Sequence, residues 1–405
     1  KKQKMNGNGA DLRPKTLKQL KKHVKTLANR RWGKNSEFDG FDDEFNYIEQ
    51  QGEGDFYFED FSGARALPNR SKNRYSNVLA LESTRVKLPD FSPDSDTATD
   101  YINANYITGC SLEDHHGRKL YIAGQGPLKE TVTDFWKMVW AENTNMIVML
   151  TKITEGDRQK CNRYWSKSSR TKHIGKLFTV TTIDPPEFDT EELVVRRMTL
   201  THHGGGSSDS ASSSANNSRE LLHFQYREWP DHGLPKNTET FRQLLRLVDE
   251  QPRTGPIVVH CSAGIGRTGT FCTVHINLSK LKYASATNPP TFDILGTVLR
   301  LRKERLGMVQ TKEQYMFCYL AVLEGVLEWK AIQKKKHQKS SSRASSSSTT
   351  PSVHLAPPNQ HQDNASSSSS SSRKHRSSKR RKRRSKSRGP PRSQLKKKSN
   401  GATSE

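Results

Sequence analysis

The chain has few cysteines, a deficit of acidic residues and no long apolar run. Its five cysteines are scattered through 405 residues without paired spacing, which argues against a disulfide framework or a zinc site and favours a reducing compartment. No apolar stretch is long enough to predict a transmembrane segment. The cysteines are Cys110, Cys161, Cys261, Cys272 and Cys318.

Acidic residues are scarce mainly at the two ends of the chain. The chain has 67 basic and 42 acidic residues, which gives a formal charge of +25. Residues 331–405 hold 20 basic and 2 acidic residues, and residues 1–34 hold 12 basic and 1 acidic residue. The part of the chain between these two segments therefore has a net charge of about −4. The excess positive charge therefore belongs to the ends and not to the body of the protein.

The segment 331–405 lacks the apolar residues that a packed core needs. It combines polyserine, prolines and runs of arginine and lysine, so we expect a disordered, serine-rich basic tail. Such a tail suits nuclear import receptors, a solvated linker or nucleic acid. Nucleic acid is disfavoured as the main partner because the tail has no interleaved aromatics for base stacking. We expect a cytoplasmic location, a nuclear location or both.

The remaining chain divides into a short extension and one mixed α/β domain. Residues 1–35 form a basic extension in which apolar residues recur at helical spacing, which predicts an amphipathic helix whose apolar stripe packs on the body. The spaced residues are Leu17, Leu20, Val24 and Leu27. Residues 36–330 are expected to form the catalytic domain, with a flexible glycine-serine insert at 203–218. The sequence does not place the elements of residues 33–62.

One short stretch combines a thiol, glycines and an arginine between two predicted elements. The apolar run 257–259 predicts a buried strand, and residues 270–274 begin a helix. Because the first amides of a helix lack internal partners and carry positive potential, the loop suits an anion. Gly264 and Gly266 allow the amides of 262–267 to converge on one phosphoryl group, and Arg267 can close the site with its planar fork. The same positive field favours the nucleophilic thiolate of Cys261.

Ordinary interpretations of these residues compete with the functional ones. A cysteine with apolar flanks is often simply part of the core, but the glycines and the strand-to-helix context favour a functional Cys261. His260 either orients the loop through hydrogen bonds or is a core histidine with satisfied partners. Asp231, in the segment Trp229-Pro230-Asp231-His232-Gly233, is either a general acid on a hinged loop or a helix N-cap.

Taken together and in this order, these segments resemble the phosphotyrosine-specific protein tyrosine phosphatases, and among them the intracellular non-receptor enzymes related to the type 1 and T-cell phosphatases. The resemblance covers about residues 70–328. It implies an α/β (α+β) fold with a central, highly twisted mixed sheet flanked by helices and a phosphate-binding loop between a core strand and a helix. The matching motifs are His260 to Gly269, Trp229-Pro230-Asp231, Lys72-Asn73-Arg74-Tyr75, Asp100 to Asn105, Gln125-Gly126-Pro127 and Gln310 to Gln314.

The resemblance also implies a role for each matching residue. Cys261 would attack phosphorus to give a phosphocysteine, Arg267 would grip the transferring group, and Asp231 would protonate the tyrosyl oxygen. Asp231 would then activate a water held by Gln310 and Gln314. The other residues expected to bind phosphotyrosyl proteins are Tyr75, which would stack on the ring and set the pocket depth, and the loop residues Ser262, Ala263, Gly264, Ile265 and Gly266. The reaction needs neither a metal nor another cofactor, because placement and charge stabilisation are sufficient.

Some positions depart from the family pattern or leave alternatives open. Glu155 and Lys160 match positions that support Arg267, although from their sequence context alone they are equally well solvated charges. Asn77 stands where the type 1 relatives carry an aspartate. Arg302 and Gly307 match parts of a secondary phosphotyrosine site, but the N-terminal segment offers no partner arginine. We therefore expect a phosphatase of intracellular signalling, with a catalytically silent phosphotyrosine-binding module and a dual-specificity phosphatase as alternatives.

Overall fold

A mixed sheet of ten strands forms the centre of the computed structural model. The structure describes residues 14–29, 40–53, 58–89, 99–108, 120–167, 170–183, 185–203, 217–230, 233–285 and 287–345. Most of the predicted insert at 203–218 and the tail beyond 345 lie outside the described residues. In the part that is described, no helix is both long enough and apolar enough to cross a membrane.

The strands combine a parallel centre with antiparallel edges. The sheet order is β1-β2-β3-β12-β4-β11-β10-β8-β7, with β9 paired to β10 and a separate hairpin of β5 and β6. Strand β12 pairs in parallel with β3 and β4, and β4 pairs in parallel with β11. The strands are β1 Arg85–Lys87, β2 Tyr101–Ile107, β3 Tyr121–Gly124, β4 Met146–Met149, β5 Thr154–Glu155, β6 Arg158–Gln159, β7 Thr171–Ile174, β8 Phe178–Thr182, β9 Phe188–Asp189, β10 Leu193–His202, β11 Ser218–Tyr226 and β12 Ile257–His260.

Helices cover both faces of the sheet. They are α1 Leu17–Asn29, α2 Gly40–Glu53, α3 Ser62–Arg65, α4 Val132–Ala141, α5 Glu239–Asp249, α6 Gly266–Ser279, α7 Ile294–Glu304 and α8 Lys312–Ser345, with short 3₁₀ turns at Phe58–Phe61, Leu67–Lys72 and Lys280–Tyr283. Side chains alternate along β12, so Val259 packs with the helices of one face and Val258 packs with α4 on the other. The centre of the sheet is therefore buried on both sides, and the fold class predicted from sequence is confirmed.

The N-terminal helix forms where the apolar spacing predicts it. Helix α1 spans Leu17–Asn29, and Leu20 and Leu27 are buried against the body. The next helix, α2, spans Gly40–Glu53 in a region whose elements the sequence did not indicate. Its buried residues Phe41 and Ile48 belong to the same core cluster as Leu20. The extension is therefore attached to the body through apolar contacts.

The C-terminal helix extends into the segment that the sequence predicts to be a disordered tail. The boundary between domain and tail was expected at residue 330, but α8 continues to Ser345. Its first part is anchored by buried side chains such as Tyr315, Tyr319 and Val326. The following residues include alanine, lysine and glutamine, which have high helix propensity and extend a helix that the core has already nucleated.

Candidate active site

The loop between β12 and α6 places the thiol of Cys261 among hydrogen-bond donors. The Cys261 side chain is buried, and its Sγ accepts a hydrogen bond from the Gly264 amide at 3.3 Å and one from the Thr268 hydroxyl at 3.3 Å. Gly264 has φ +76°, and a Cβ there would lie 2.0 Å from the Gly124 carbonyl oxygen. Glycine is therefore required for the loop to curl against the neighbouring strand. Two hydrogen-bond donors therefore point at the sulfur of Cys261.

A buried arginine fixes the carbonyl side of this loop. Arg305 is fully buried, and its guanidinium donates to the carbonyl oxygens of Gly264 at 2.8 Å and Ala263 at 3.0 Å. The same group donates to the side-chain oxygens of Asn105 at 2.6 Å and Asn103 at 2.8 Å. With these carbonyls held by Arg305, the loop has a fixed geometry before any substrate arrives. Burial lowers the pKa of Arg305 to about 10, so the group stays charged at neutral pH.

The sequence analysis did not identify Arg305 as a site residue. Its signal is the pair Asn103 and Asn105 within strand β2, where polar side chains alternate with apolar ones although both asparagines are buried. Buried amides need partners. A buried cation between two such amides and a phosphate-binding loop could therefore have been sought, but nothing in the local sequence points to position 305.

Arg267 is held by a carboxylate at the first turn of α6. Its guanidinium donates to both oxygens of Glu155, at 2.5 and 2.9 Å, in a two-pronged pair. Glu155 is buried, and Lys160 Nζ lies 3.9 Å from one of its oxygens. Glu155 and Lys160, which sequence context left open, therefore lie beside Arg267. The pair fixes the plane of the guanidinium, which is what bidentate binding of a phosphoryl group requires.

Tyr75 stands at the mouth of the site. Its side chain is 37% exposed, and its hydroxyl lies 2.9 Å from the Ser262 hydroxyl. The preceding Arg74 fastens this loop, since its side chain donates to the carbonyl oxygens of Gly126 at 2.9 Å and Pro127 at 2.9 Å. An aromatic ring on an anchored loop can form a rigid wall of a pocket.

The tryptophan segment approaches the site from β11. Trp229 is buried against the rings of Phe241 and Phe317, and its Nε1 donates to the Gly233 carbonyl oxygen at 3.2 Å. The Pro230 carbonyl oxygen accepts a hydrogen bond of 3.1 Å from Arg267. Asp231, the predicted general acid, lies outside the described residues. The described residues before it are thus tied to the hydrophobic core through Trp229 and to Arg267 through Pro230.

Gln310 and Gln314 meet near the start of α6. The backbone amide of Gln310 donates a hydrogen bond to the side-chain oxygen of Gln314 at 2.9 Å. Val309, just before them, has φ +59° and is buried, a conformation that costs a β-branched residue about 1–3 kcal/mol. The Val309 amide donates to the Ile265 carbonyl oxygen at 3.2 Å, so the strained residue links the glutamine segment to the phosphate loop.

Most of the predicted site residues line one cavity of about 570 Å³. Its walls include Tyr75, Cys261, Ser262, Ala263, Gly266, Arg267, Gln310 and Gln314, together with Asn77, Glu155 and Lys160. Gly264 contributes its amide to the thiol, whereas Ile265 lines a neighbouring cavity of about 550 Å³. The structure therefore brings together residues that are up to 239 positions apart in sequence.

The neighbouring cavity contains the residues that resemble a secondary phosphotyrosine site. Arg302 and Gly307 line it, and Asn77 lies between the two cavities and contributes to both. Arg302 donates to the carboxylate of Glu49 at 2.7 Å and to the Val309 carbonyl oxygen at 2.8 Å. A carboxylate from α2 therefore pairs with Arg302 in the lining of this cavity.

Comparisons with known proteins agree with this geometry. The family profile described as protein-tyrosine phosphatase matches residues 69–324. Tyrosine-protein phosphatase 2 of Dictyostelium discoideum is 35% identical over 70% of this chain and 85% of the relative. Tyrosine-protein phosphatase non-receptor type 20 of Mus musculus is 38% identical over 66% of this chain and 56% of the relative. Receptor-type tyrosine-protein phosphatase eta of the same species is 41% identical over 64% of this chain and 19% of the relative.

The fold, the family profile and the relatives define an enzyme of the protein phosphatase class. The chain belongs to the protein-tyrosine phosphatase family. It spans most of the length of the Dictyostelium relative but little more than half of the non-receptor type 20 enzyme. The family and enzyme class predicted from the sequence motifs are confirmed.

Proposed function

We propose that this protein is a non-receptor tyrosine phosphatase that hydrolyses phosphotyrosine in proteins by a two-step reaction on Cys261. The observation that carries the proposal is the buried sulfur of Cys261, which accepts two hydrogen bonds within a loop whose carbonyl oxygens are held by Arg305. A sulfur held in this way by the donors of the loop is placed to act as a nucleophile. The finer resemblance to the type 1 and T-cell enzymes stays a prediction.

In the first step, the Cys261 thiolate attacks phosphorus and forms a sulfur–phosphorus bond while the bond to the tyrosyl oxygen breaks. Arg267 and the loop amides stabilise the charge on the transferring group. Asp231 gives its proton to the departing oxygen, because a phenolate is otherwise a poor leaving group at neutral pH. The result is a phosphocysteine and a free tyrosine side chain.

In the second step, a water molecule held by Gln310 and Gln314 attacks the phosphocysteine. Asp231, now a carboxylate, accepts a proton from this water, and the sulfur–phosphorus bond breaks to release inorganic phosphate and restore the thiolate. Tyr75 forms the wall of a deep pocket, so a phosphorylated serine or threonine is too short to reach the sulfur. The pocket depth thus favours phosphotyrosine over phosphoserine and phosphothreonine as substrates.

The proposal is tested by hydrolysis of p-nitrophenyl phosphate and of phosphotyrosyl, phosphoseryl and phosphothreonyl peptides. Cys261→Ser should abolish activity, and Asp231→Ala should lower kcat by roughly 10²- to 10⁴-fold, the usual contribution of a general acid. Full activity of Cys261→Ser would overturn the proposal. Comparable rates on phosphoserine peptides would instead indicate a dual-specificity enzyme. The Asp231→Ala variant should also retain bound substrates, which makes it suitable for a substrate-trapping pull-down.

We further propose that the basic tail directs the protein to the nucleus through import receptors, in addition to a cytoplasmic pool. The support is its charge, with the run 379–384 made only of arginine and lysine. A truncation after residue 345 keeps α8 intact and removes this run. Imaging should show a lower nuclear fraction for the truncated chain than for the full chain, and an unchanged distribution would contradict the import role.

A further inference from the structure

A chain of polar side chains leads from the phosphate loop along one face of the sheet, from β12 through β11 to β10. His260 Nδ1 lies 3.1 Å from the Cys261 carbonyl oxygen, and His260 Nε2 lies 2.8 Å from the Tyr164 hydroxyl. The same hydroxyl lies 2.7 Å from His223 Nε2. His223 Nδ1 lies 3.4 Å from Nη1 of Arg196. His260, Tyr164 and His223 are fully buried, so their polar atoms rely on each other.

The chemistry of these groups fixes the direction of every hydrogen bond in the chain. A carbonyl oxygen only accepts, so His260 must carry its proton on Nδ1 to donate to Cys261. Burial lowers the pKa of His260 to about 4, so this ring is neutral and its Nε2 accepts from the Tyr164 hydroxyl. Tyr164 has one proton to give, so His223 must donate to it through Nε2.

Arg196 is the first donor of the series, at the end away from Cys261. Burial, Arg196 and His260 lower the pKa of His223 well below its usual range, so its second ring nitrogen, Nδ1, is an acceptor. That nitrogen faces the Arg196 guanidinium, which has only donors. The four contacts therefore form a one-way series of donors that starts at Arg196 and ends at the carbonyl of the nucleophilic cysteine.

We propose that Arg196 is a positioning residue that fixes His223 and His260 in these tautomers and thereby supports the thiolate of Cys261. The proposal rests on the proposed role of Cys261 as nucleophile. If Arg196 were absent, His223 could carry its proton on Nδ1 and would then compete with His260 for the single Tyr164 proton. Aligned hydrogen bonds also polarise one another, so the guanidinium charge strengthens the last bond of the series, the one to the Cys261 carbonyl.

A second branch connects Arg196 to the phosphate-binding arginine. Arg196 Nη1 donates to the Gln225 side-chain oxygen at 3.0 Å, and Gln225 Nε2 donates to the Thr151 carbonyl oxygen at 3.3 Å. The Thr151 hydroxyl donates to Glu155 at 2.7 Å, and Glu155 holds Arg267. The Arg196 guanidinium thus begins both branches. One branch leads to Cys261 and the other leads to Arg267.

The neighbourhood of Arg196 supplies a matched control. The guanidinium groups of Arg163 and Arg196 lie 5.2 and 5.5 Å from the centre of the same Trp165 ring. Among the described residues, none of the hydrogen bonds in the two branches involves Arg163. Loss of Arg163 therefore removes a comparable cation–π contact and leaves the directed series intact.

The experiment uses the full chain with Arg196→Met, Arg196→Lys, Arg163→Met and Tyr164→Phe. Nitrogen-15 spectra of the histidine rings report the tautomers of His260 and His223. Mass spectrometry reports the pH midpoint of iodoacetamide alkylation at Cys261. The charged and titratable groups that face Cys261 are Arg267, Glu155, Lys160, Tyr75 and Glu313 around the cavity and Arg305, Cys161, Cys272 and His260 on its buried side, and all of them are retained in each variant.

We expect Arg196→Met and Tyr164→Phe to raise the alkylation midpoint by about half a pH unit, a threefold loss of thiolate, and to mix the tautomers of His260. Arg196→Lys, which keeps a charged donor, and Arg163→Met should resemble the unmodified chain. An unchanged midpoint with unchanged tautomers in both Arg196→Met and Tyr164→Phe would overturn the proposal. Equal shifts in Arg163→Met, or no rescue by lysine, would also overturn it.

The result separates this inference from the proposed function. Alkylation and ring spectra are measured without substrate, so they test the series whether or not Cys261 is the nucleophile. Retained phosphatase activity in Cys261→Ser would overturn the proposed function alone. If Cys261→Ser loses activity but Arg196→Met changes neither the alkylation midpoint nor the histidine tautomers, only the positioning role of Arg196 would be overturned.

Discussion

The two loops that meet at Arg267 are held in different ways. The loop 261–265 lies between a fully buried strand and a helix, and fully buried Arg305 holds two of its carbonyl oxygens. The described residues 227–230 are attached in another way: the Arg227 backbone amide donates to the Glu192 carbonyl oxygen, the Trp229 side chain is buried, and the Pro230 carbonyl oxygen accepts a hydrogen bond from Arg267. The comparison teaches that a buried cation holds the carbonyl side of the Cys261 loop in a fixed shape, whereas the tryptophan segment reaches Arg267 through a backbone oxygen and is held by a buried ring.

Removal of Arg305 should have the largest effect, because it releases the fixed loop. Arg305→Met leaves the carbonyls of Ala263 and Gly264 and the oxygens of Asn103 and Asn105 without a donor. We expect a loss of about 3 kcal/mol in the free energy of unfolding, measured by urea denaturation, and a loss of kcat/KM of at least roughly 100-fold. Activity within a few-fold of the unmodified enzyme would show that the loop holds its shape without this contact.

Alanine substitutions at two glycines with positive φ, one in each loop, test the difference between the loops directly. Gly264→Ala places a Cβ 2.0 Å from the Gly124 carbonyl oxygen, whereas a Cβ at Gly233 meets nothing within 4 Å among the described residues. Gly233→Ala should therefore cost only about 1–2 kcal/mol for the left-handed backbone, and Gly264→Ala should cost more and reduce kcat sharply. Thermal unfolding and phosphatase assays measure both. Equal effects of the two substitutions would break the distinction between the loops.

The attachment of the tryptophan segment can be weakened while most of its aromatic packing is kept. Trp229→Phe retains an aromatic ring against Phe241 and Phe317 but removes the hydrogen bond to the Gly233 carbonyl oxygen. We expect kcat to fall by roughly 5- to 10-fold, in line with a lost hydrogen bond of about 1 kcal/mol, with a smaller change in KM. Steady-state kinetics measure the split. A rise in KM at constant kcat would place this contact in substrate binding instead.

The smallest effect on activity is expected at the opposite end of the central strands. Burial opposes ionisation of Asp249, but hydrogen bonds and charge from His275 and Lys282 outweigh it and lower its pKa. A lowered pKa in the folded state gives stability that is present above the unfolded-state value and is lost as pH falls through the folded-state value. Asp249→Asn should therefore cost about 1 kcal/mol at pH 7, and the difference should shrink below about pH 4.

Urea denaturation across pH 3–7 measures this difference, and kcat at pH 7 should stay within about twofold of the unmodified enzyme because Asp249 lies outside the active-site cavity. A stability difference that grows with falling pH would contradict the sign derived from the lowered pKa.

The local motifs predicted which residues lie close together because such motifs carry their own geometry. Cys261, Gly264 and Arg267 lie within seven residues, and a strand followed by a helix is enough to place them around one anion. The strand at 257–259 was equally clear from its apolar run. Helix α1 was predicted by its apolar spacing, since that pattern belongs to one element and needs no partner to be recognised.

Contacts between distant segments could not be predicted in the same way. Arg305 contacts Asn103 and Asn105 across about 200 residues, and its role depends on how the sheet places three segments together. The pairing of Glu155 with Arg267 likewise became unambiguous only in three dimensions. The length of α8 was underestimated because its last part has no apolar period and continues a helix that packing has begun.

The central claim is that a sulfur anion of Cys261 carries the phosphoryl group during turnover. The most direct measurement is rapid acid quenching of the Gln310→Ala variant, which keeps the proposed acid of the first step and lacks a group that holds the water of the second, with a phosphotyrosyl peptide, followed by mass spectrometry of the peptide that contains Cys261. The account predicts a phosphate mass on Cys261 that appears before phosphate release and is absent from Cys261→Ser. Continued turnover with no phosphate on Cys261, or with phosphate on another residue, would contradict it.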